Sequence, residues 1–175
     1  EAGLDLITQG VIGAATAQAF ASKSTLRKWT LIGALGGLAP DLDGLIRSPS
    51  DPLLFLEYHR HFTHSLVFIP IGAAFTTALL CVLFRKHFEP KTTDLPCLLG
   101  YATHGVLDAC TSYGTLLYWP FSEVRVAFNL ISIVDPIFTL PLVVAGFLAI
   151  KKRNPIWSRV IVVGAICYLA LGWYQ

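Results

Sequence analysis

Hydrophobic residues occur along this chain in six long runs separated by short polar linkers. Each run is close to the roughly 20 residues that an α-helix needs to cross about 30 Å of hydrocarbon. The pattern predicts an all-α protein, a polytopic integral membrane bundle of about six transmembrane helices that forms a single domain over residues 1–175. The runs cover residues 4–22, 29–46, 62–84, 95–118, 130–150 and 156–174.

The second run is the least regular, because Gly36, Gly37 and Pro40 interrupt it. Proline has no backbone N–H, so Pro40 leaves a carbonyl that must find another partner inside the protein. Gly33, Gly36 and Gly37 lack side chains and therefore permit close contact between helices. We expect an irregular helix here that packs tightly against its neighbours.

Basic residues are distributed unevenly between the linkers, and this asymmetry predicts an orientation. Three linkers hold ten of the thirteen Lys and Arg residues. Cytoplasmic loops of membrane proteins are enriched in Lys and Arg, so these linkers are expected in the cytoplasm and both termini outside. The segment 47–61 is too polar and too short to cross, and it predicts an outer loop with a short interfacial helix near residues 53–58. The ten basic residues are Lys23, Arg27, Lys28, Arg85, Lys86, Lys91, Lys151, Lys152, Arg153 and Arg159.

Composition supports a bilayer as the solvent, since 54% of residues are hydrophobic and only 14% are charged. Soluble domains usually carry about 25% charged residues. A net charge of +2 without a long basic stretch argues against a nucleic-acid partner. The four cysteines lie in apolar stretches without a C-x-x-C pair, so we assign them neither a disulfide nor a metal.

Ionisable and polar residues from separate runs converge on one predicted depth, the outer half of the membrane. A charged residue within hydrocarbon costs at least about 2.5–3.5 kcal/mol, so each marks a candidate functional site with a partner. These side chains are carboxylates and imidazoles without a matching buried Lys or Arg, and a divalent cation would supply the missing positive charge. The residues are Gln9, Asp41, Asp43, His59, His61, His64, His104, Asp108 and Asp135.

Two short patterns carry most of this signal. His104 and Asp108 are four residues apart, which places both side chains on one helix face, able to grip one ion. Alternatively, these residues have a structural role, in which a His–Asp hydrogen bond helps two helices pack together. Asp41 and Asp43 repel each other unless a cation or a proton lies between them, and their alternative is a solvated helix end.

A third pattern, H-R-H-F-T-H-S at residues 59–65, is dense in metal ligands, and an interfacial polar cluster is its alternative. Arg60 within it is suited to pairing with a phosphate or a carboxylate. Asp135 precedes Pro136, so it can cap the start of a helix, contribute to the site, or do both. His87 lies among basic residues and is interpreted as a surface histidine.

Taken in order, D-L-I-T-Q-G, P-D-L-D, H-R-x-x-T-H-S, H-x-x-x-D and T-S-Y-G-T resemble a family of inner-membrane-associated metal-dependent hydrolases. Its members are YdjM-like and are sometimes described as LexA-binding. The resemblance covers residues 4–150, and it implies a distant similarity to zinc-dependent phospholipase C and the P1-type nucleases. His61 stands where the family often has Gly, and Gln9 where some relatives have His. The implied metal ligands are Asp41, Asp43, His59, His64, His104 and Asp108, with Asp135 as a further candidate.

We therefore expect a metal-dependent hydrolase of the inner membrane with one to three ions, zinc being the expected metal, in a cavity that opens to the periplasm or outside. A metal-activated water would cleave a phosphoester or related bond of a lipid or lipid-linked substrate at the outer leaflet. One of Asp41, Asp43 or Asp135 would hold or deprotonate that water. The expected catalytic residues are Asp43, Asp135, His64 and Arg60, and the expected substrate-binding residues are Arg60, Thr111, Tyr113 and Arg125.

Two other functions remain open at this stage. A metal-ion or proton transporter also uses His and Asp residues within a membrane. It would need polar groups in the cytoplasmic half as well, where the sequence is nearly all apolar. A non-enzymatic membrane regulatory protein is the third possibility, but it gives no reason for the buried acids.

Overall fold

The computed structural model describes residues 2–46 and 59–174, with side chains from residue 6 onwards, and these residues fold as a helical bundle. The described part holds six α-helices, two short 3-10 helices and no β-strand, which confirms the all-α prediction. The interfacial helix expected near residues 53–58 lies outside the described residues. The α-helices are α1 (Ala2–Phe20), α2 (Leu26–Leu38), α3 (Ile69–Leu83), α4 (Pro90–Ala109), α5 (Pro136–Lys152) and α6 (Ile156–Gly172), and the 3-10 helices are Ala39–Leu45 and Phe62–His64.

The helices are shorter than the hydrophobic runs that predicted them. Within the described residues, no helix combines the length and the apolar character needed to cross a bilayer, so the six predicted transmembrane spans are not shown as such. Helices α2 and α3 contain 13 and 15 residues, and α4 contains 20 but opens with P-K-T-T-D. Apolar residues continue beyond the helix ends, for example through the loop at 110–118. Hydropathy alone therefore does not show where a helix ends and an apolar loop begins.

Large apolar side chains lie on the outside of the bundle, while polar side chains are buried between the helices. On α3, Phe75 is 69% exposed and Val82 is 62% exposed, whereas Thr76 and Thr77 are buried. The outer faces of α5 and α6 follow the same rule. Apolar side chains such as Phe138 and Leu142 also fill the core, so these helices are apolar on both sides, and exposed apolar faces of this size mark contacts with lipid or protein.

Glycines bring α1, α2 and α4 into backbone contact, as the sequence predicted for Gly33, Gly36 and Gly37. A Cβ atom built on Gly13 would lie 2.5 Å from the carbonyl oxygen of Gly33, and one built on Gly37 would lie 2.6 Å from that of Gln9. Real Cβ atoms do not approach so closely. These three helices are therefore held at a separation that only glycine allows.

The three basic linkers come together at one end of the bundle. Lys28 donates a hydrogen bond to the Thr92 hydroxyl over 3.1 Å, which joins the first linker to the second. Arg159 donates to the carbonyl oxygen of Ala19 over 2.8 Å, which joins the third to the first. His87 is exposed at this end, as predicted. The candidate site lies at the opposite end.

We predict that Gly33→Ala destabilises the protein, because its new methyl group would lie 2.6 Å from the carbonyl oxygen of Gly13. Overpacking of this kind costs about 1–3 kcal/mol, and thermal unfolding of the purified protein would report it as a lower Tm. Gly164→Ala is the control, since its methyl group meets no atom closer than 4.0 Å. Equal Tm values for the two variants would contradict the packing described here.

Candidate metal centre

Asp41 and Asp43 lie on the 3-10 helix that follows α2. Pro40 has no N–H to continue the α-helical pattern, so α2 ends at Leu38 and tighter turns continue to Leu45. Asp43 is buried and Asp41 is partly buried, while Leu42 between them is 51% exposed. The change of helix type thus turns both carboxylates inwards and the leucine outwards.

His64 and His104 meet in the interior from two different elements. His104 lies on α4 and is fully buried, and His64 ends the second 3-10 helix and is also buried. That 3-10 helix rests on Gly105, where a Cβ atom would collide with the carbonyl oxygen of His64. Without a side chain at Gly105, the two imidazole rings approach to 4.6 Å between centroids.

Three potential ligand atoms converge where these elements meet. His64 Nε2 lies 2.9 Å from His104 Nε2, and Asp41 Oδ1 lies 3.7 Å from the first and 3.3 Å from the second. A tetrahedral ion with bonds of about 2.0–2.1 Å holds its ligand atoms about 3.3 Å apart. The three atoms therefore have the spacing of one face of such a coordination tetrahedron.

The other nitrogen of each ring faces a hydrogen-bond acceptor. His64 Nδ1 lies 3.3 Å from Asp43 Oδ2, and His104 Nδ1 lies 2.5 Å from the carbonyl oxygen of Gly37. A ring nitrogen that faces a carboxylate or a carbonyl carries the hydrogen, which leaves a lone pair on Nε2 of the neutral ring. Two lone pairs that face each other at this distance repel unless a cation lies between them. Outer partners of this kind are typical of metal-binding histidines.

The Gly37 carbonyl is available to His104 for a reason visible in the sequence. In a 3-10 helix the carbonyl of Gly37 would accept from the residue three positions later, which is Pro40 and has no N–H. The prediction that Pro40 frees a carbonyl needing an internal partner is therefore confirmed. One proline both ends the α-helix before the acids and supplies the acceptor that orients a histidine.

A second set of ligands adjoins the first. Atoms of Asp41, Asp43 and His59 lie within 4.8 Å of one another, and His59 Nδ1 lies 3.0 Å from Asp43 Oδ1. Asp41 belongs to both sets. A carboxylate shared between two ion positions is a recurring feature of two-metal hydrolytic sites, and this arrangement has room for an ion in each set.

Asp108 adds a carboxylate beside the two histidines. Its Oδ1 accepts a hydrogen bond of 2.8 Å from Gln9 and lies 3.4 Å from Arg60 Nη2. Its Oδ2 lies 3.2 Å from His64 Nε2 and 3.5 Å from His104 Nε2. Among the described residues this buried Oδ2 accepts no hydrogen bond, which is costly for a carboxylate. An ion held by the two imidazoles would satisfy it.

The electrostatics of the pocket require positive charge. Carboxylate oxygens of Asp41, Asp43 and Asp108 lie 3.7, 3.3 and 3.2 Å from the ring nitrogen atoms of His64, so three acids surround one imidazole. Proton and metal compete for the same nitrogen atoms, because a metal binds only the unprotonated ring.

Three of the predicted substrate-binding residues lie together at the rim of this centre. The guanidinium carbon of Arg60 lies 4.8 Å from the centre of the Tyr113 ring, and that of Arg125 lies 5.9 Å from it. Tyr113 and Arg125 are exposed, whereas Arg60 is buried with its Nη2 atom 3.4 Å from Asp108 Oδ1. The expectation that no buried Arg accompanies the acids is therefore wrong, and Arg60 supplies part of the positive charge. Arg60 adopts a left-handed backbone with φ of 58°, and its N–H donates to Asp43 Oδ2 over 3.1 Å.

Two predicted residues lie apart from this arrangement. Asp135 caps α5, accepting from the Phe138 N–H at 3.0 Å and from the Tyr168 hydroxyl at 2.8 Å. No hydrogen bond or ion pair of the described residues joins Asp135 to Asp41, His64 or His104, so the helix-cap reading is correct and its position gives no support to a catalytic role. Thr111 is buried and donates to the carbonyl oxygen of Asp108 over 2.8 Å, which ties its hydroxyl to the helix end rather than the rim.

Two residues that orient the centre were given no role by the sequence patterns. The Thr63 hydroxyl donates to Asp43 Oδ2 over 2.8 Å and lies 2.9 Å from His64 Nδ1. Tyr101 on α4 donates to the carbonyl oxygen of Thr63 over 2.9 Å. The position of Thr63 directly before His64 was the available signal, whereas nothing in the sequence marks Tyr101.

Comparison with known proteins agrees with this picture at the level of the family. The model described as "YdjM inner membrane protein" matches residues 4–175. The chain belongs to the YdjM family. That description supports the predicted inner-membrane location.

One curated relative of this YdjM-family chain is "Uncharacterized protein YfhP" of Bacillus subtilis (strain 168), 32% identical over 101 residues. The match covers 58% of the chain and 30% of the relative, so the chain spans less than a third of that relative's length. No solved structure matches. The expected likeness to phospholipase C and the P1-type nucleases therefore has no support from these comparisons.

We predict that His64→Ala and His104→Ala in this YdjM-family protein each weaken Zn²⁺ binding by more than about 100-fold. The loss should exceed the 10- to 100-fold effect of removing an outer partner, because a ligand itself is lost. Calorimetric titration of the purified, metal-stripped protein with Zn²⁺ measures the affinity. His87→Ala removes an exposed imidazole at the other end of the bundle and should leave it unchanged. Undiminished affinity in both site variants would count against the centre.

We predict a smaller effect for Thr63→Val, which removes the hydroxyl beside His64 but no ligand. Outer partners of metal ligands contribute about 10- to 100-fold to affinity, and the same titration would detect that change. Thr103→Val is the matched control, since the Thr103 hydroxyl donates only to the carbonyl of Gly100 in its own helix. An affinity as high as that of the control would show that Thr63 does not orient the histidine.

Proposed function

We propose that this chain is a membrane-embedded, metal-dependent hydrolase that cleaves a phosphoester or related bond of a lipid or lipid-linked substrate. The observation that carries the proposal is the facing pair of Nε2 atoms on His64 and His104, 2.9 Å apart beside the Asp41 carboxylate. This arrangement needs a cation. Zinc, with its preference for tetrahedral nitrogen and oxygen ligands, suits the spacing.

Different residues of the chain would hold the ion and orient its ligands. Asp41, His64 and His104 would hold an ion, and Asp108 Oδ2 is aimed at the same point. When bound, such an ion supplies Lewis acidity towards a phosphoryl oxygen and makes a nearby water more acidic. Asp43 keeps His59 and His64 in place through contacts of 3.0 and 3.3 Å. Asp41 has a side chain 17% exposed, so it is the ligand that a substrate approaching the ion would meet.

The anionic part of the substrate would lie against Arg60, Tyr113 and Arg125. Both guanidinium groups flank the same exposed phenol ring, and guanidinium groups pair well with phosphate oxygens. Arg60 also contacts Asp108, 3.4 Å away, so the anion subsite is directly coupled to the metal ligands. Two positive charges beside the centre favour a phosphoester over a neutral ester or amide.

The proposed membrane arrangement follows from the two ends of the bundle. Apolar outer faces on α3, α5 and α6 would contact lipid, as the family's inner-membrane description suggests. The end that gathers the basic linkers would face the cytoplasm. The centre would then face the periplasm or outside, in a multi-pass protein whose substrate enters from the outer leaflet.

A transporter is less well supported by the same coordinates. Within the described residues, the buried Asp, Arg and His side chains are Asp43, Arg60, His64, His104 and Asp108, and all of them lie in the centre. The opposite half buries only uncharged polar groups such as Gln18 and Ser158, which bond to each other over 2.6 Å. An ion path would need ionisable groups at that level too.

We predict that chelation abolishes hydrolysis of phosphatidylethanolamine–phosphatidylglycerol vesicles or of a polyprenyl diphosphate, and that Zn²⁺ restores it. Release of phosphate or phosphorylated headgroup measures the reaction. Asp41→Asn should lower kcat by about 100-fold or more, because it removes the charge of a ligand shared by both sets, and even outer partners of metal ligands contribute about 10- to 100-fold. Asp94→Asn, an exposed position near the basic end, should retain full activity. Activity that survives chelation, or equal rates in the two variants, would exclude the mechanism.

A further inference from the structure

A long apolar groove runs along the bundle between α1, α2 and α5, with a volume of about 770 Å³. Asp41 and Leu42 line one end, directly beside the candidate metal centre. Gln18, Thr30 and Ile150 line the other end, close to the basic linkers. The groove therefore runs from the proposed reaction site towards the basic end of the bundle.

The lining of this groove suits hydrocarbon rather than water. Apart from Asp41, its polar side chains are Gln18 and Thr30. Gln18 donates to the Thr30 hydroxyl over 2.7 Å and accepts from Ser158, and Thr30 donates to the carbonyl of Leu26 over 2.7 Å. Because these groups already have hydrogen-bond partners within the protein, a ligand bound in the groove below Asp41 would contact an apolar surface.

The dimensions match a single lipid chain. From Ile7 to Gln18 the groove follows α1 for about 16 Å at 1.5 Å per residue. One leaflet contributes half of the roughly 30 Å hydrocarbon core, which is about 15 Å. One extended chain of a membrane lipid therefore has the length of the groove.

Access to the metal centre favours the same route. His64 and His104 have no exposed side-chain surface, whereas the Asp41 side chain is 17% exposed and forms part of the groove wall. A substrate whose chain occupies the groove would present its polar end at Asp41, where the ligand atoms converge. A substrate without a chain would lack this guide.

We propose that the groove between α1, α2 and α5 binds one hydrocarbon chain of an amphiphilic phosphoester and thereby places its headgroup at Asp41. The reaction at the headgroup rests on the proposed function. Chain binding itself does not, and it is measured separately. The proposal identifies the substrate class as lipids with at least one long chain.

The test uses the full chain in nanodiscs of phosphatidylethanolamine and phosphatidylglycerol, doped with a phosphatidylethanolamine that carries a diazirine at the end of one acyl chain. Photolysis and mass spectrometry should locate crosslinks at Gln18, Phe147 and Ile150. Ala14→Phe and Ala34→Phe fill the groove and should reduce these crosslinks at least about tenfold, the effect of losing two buried methylene groups. Ala78→Phe, on the exposed face of α3, is the size-matched control. Unchanged Zn²⁺ content shows that a variant is folded.

A second measurement separates chain binding from chemistry. In the groove variants kcat/KM should fall about tenfold or more for the lipid, and should stay unchanged for bis(p-nitrophenyl) phosphate, a phosphodiester without a chain. Crosslinks spread evenly over the outer faces and insensitive to Ala34→Phe would overturn the groove, whether or not hydrolysis occurs. Groove crosslinks in a protein that cleaves neither substrate would support chain binding while refuting the proposed function.

Discussion

The structure depends on one electrostatic constraint, the need for a cation between imidazole nitrogens that face each other. His64 and His104 are held with Nε2 atoms 2.9 Å apart, and each Nδ1 atom faces an acceptor on the opposite side of its ring. The carboxylates of Asp41 and Asp108 increase the demand for positive charge. Neutral rings alone would repel each other, so the pocket is stable only with a proton or a metal ion inside it.

The backbone provides the closeness that this constraint requires. Gly105 lets the second 3-10 helix rest on α4, and the glycines of α1, α2 and α4 bring three helices into contact. Pro40 ends α2 and frees the carbonyl that orients His104. These glycines and one proline bind no ion themselves, but they fix the positions of the atoms that would bind it.

The centre, the apolar exterior and the groove form one consistent arrangement. Buried Asp, Arg and His side chains of the described residues gather at one end, and Lys and Arg residues of the linkers gather at the other. The groove starts at Asp41 and runs towards the basic end. A lipid lying along the groove would keep its chain against the apolar wall and its headgroup at the metal ligands.

The spacing of residues along the sequence correctly predicted contacts between side chains on the same helix. His104 and Asp108 share a helix face because they are four residues apart, and their side chains approach to 3.5 Å. The same reasoning could not separate the two roles of Asp135, since a helix cap and a ligand look alike in sequence and only the contacts with Phe138 and Tyr168 decide between them. Hydropathy also overestimated helix length, because apolar loops and apolar helices have the same composition.

The sequence by itself determined the all-helical class, the two groups of charged residues, and the candidate ligands Asp41, Asp43, His59, His64, His104 and Asp108. The class and the charge groups follow from composition, periodicity and the cost of burying charge, which are properties of short segments, whereas the ligand set is what the resemblance to the YdjM family implies. Only the tertiary structure decided that Thr63 and Tyr101 support the ligands, that Asp41 belongs to both ligand sets, and that a groove leads to it. Those features arise from elements distant along the chain, and their positions depend on how whole helices pack.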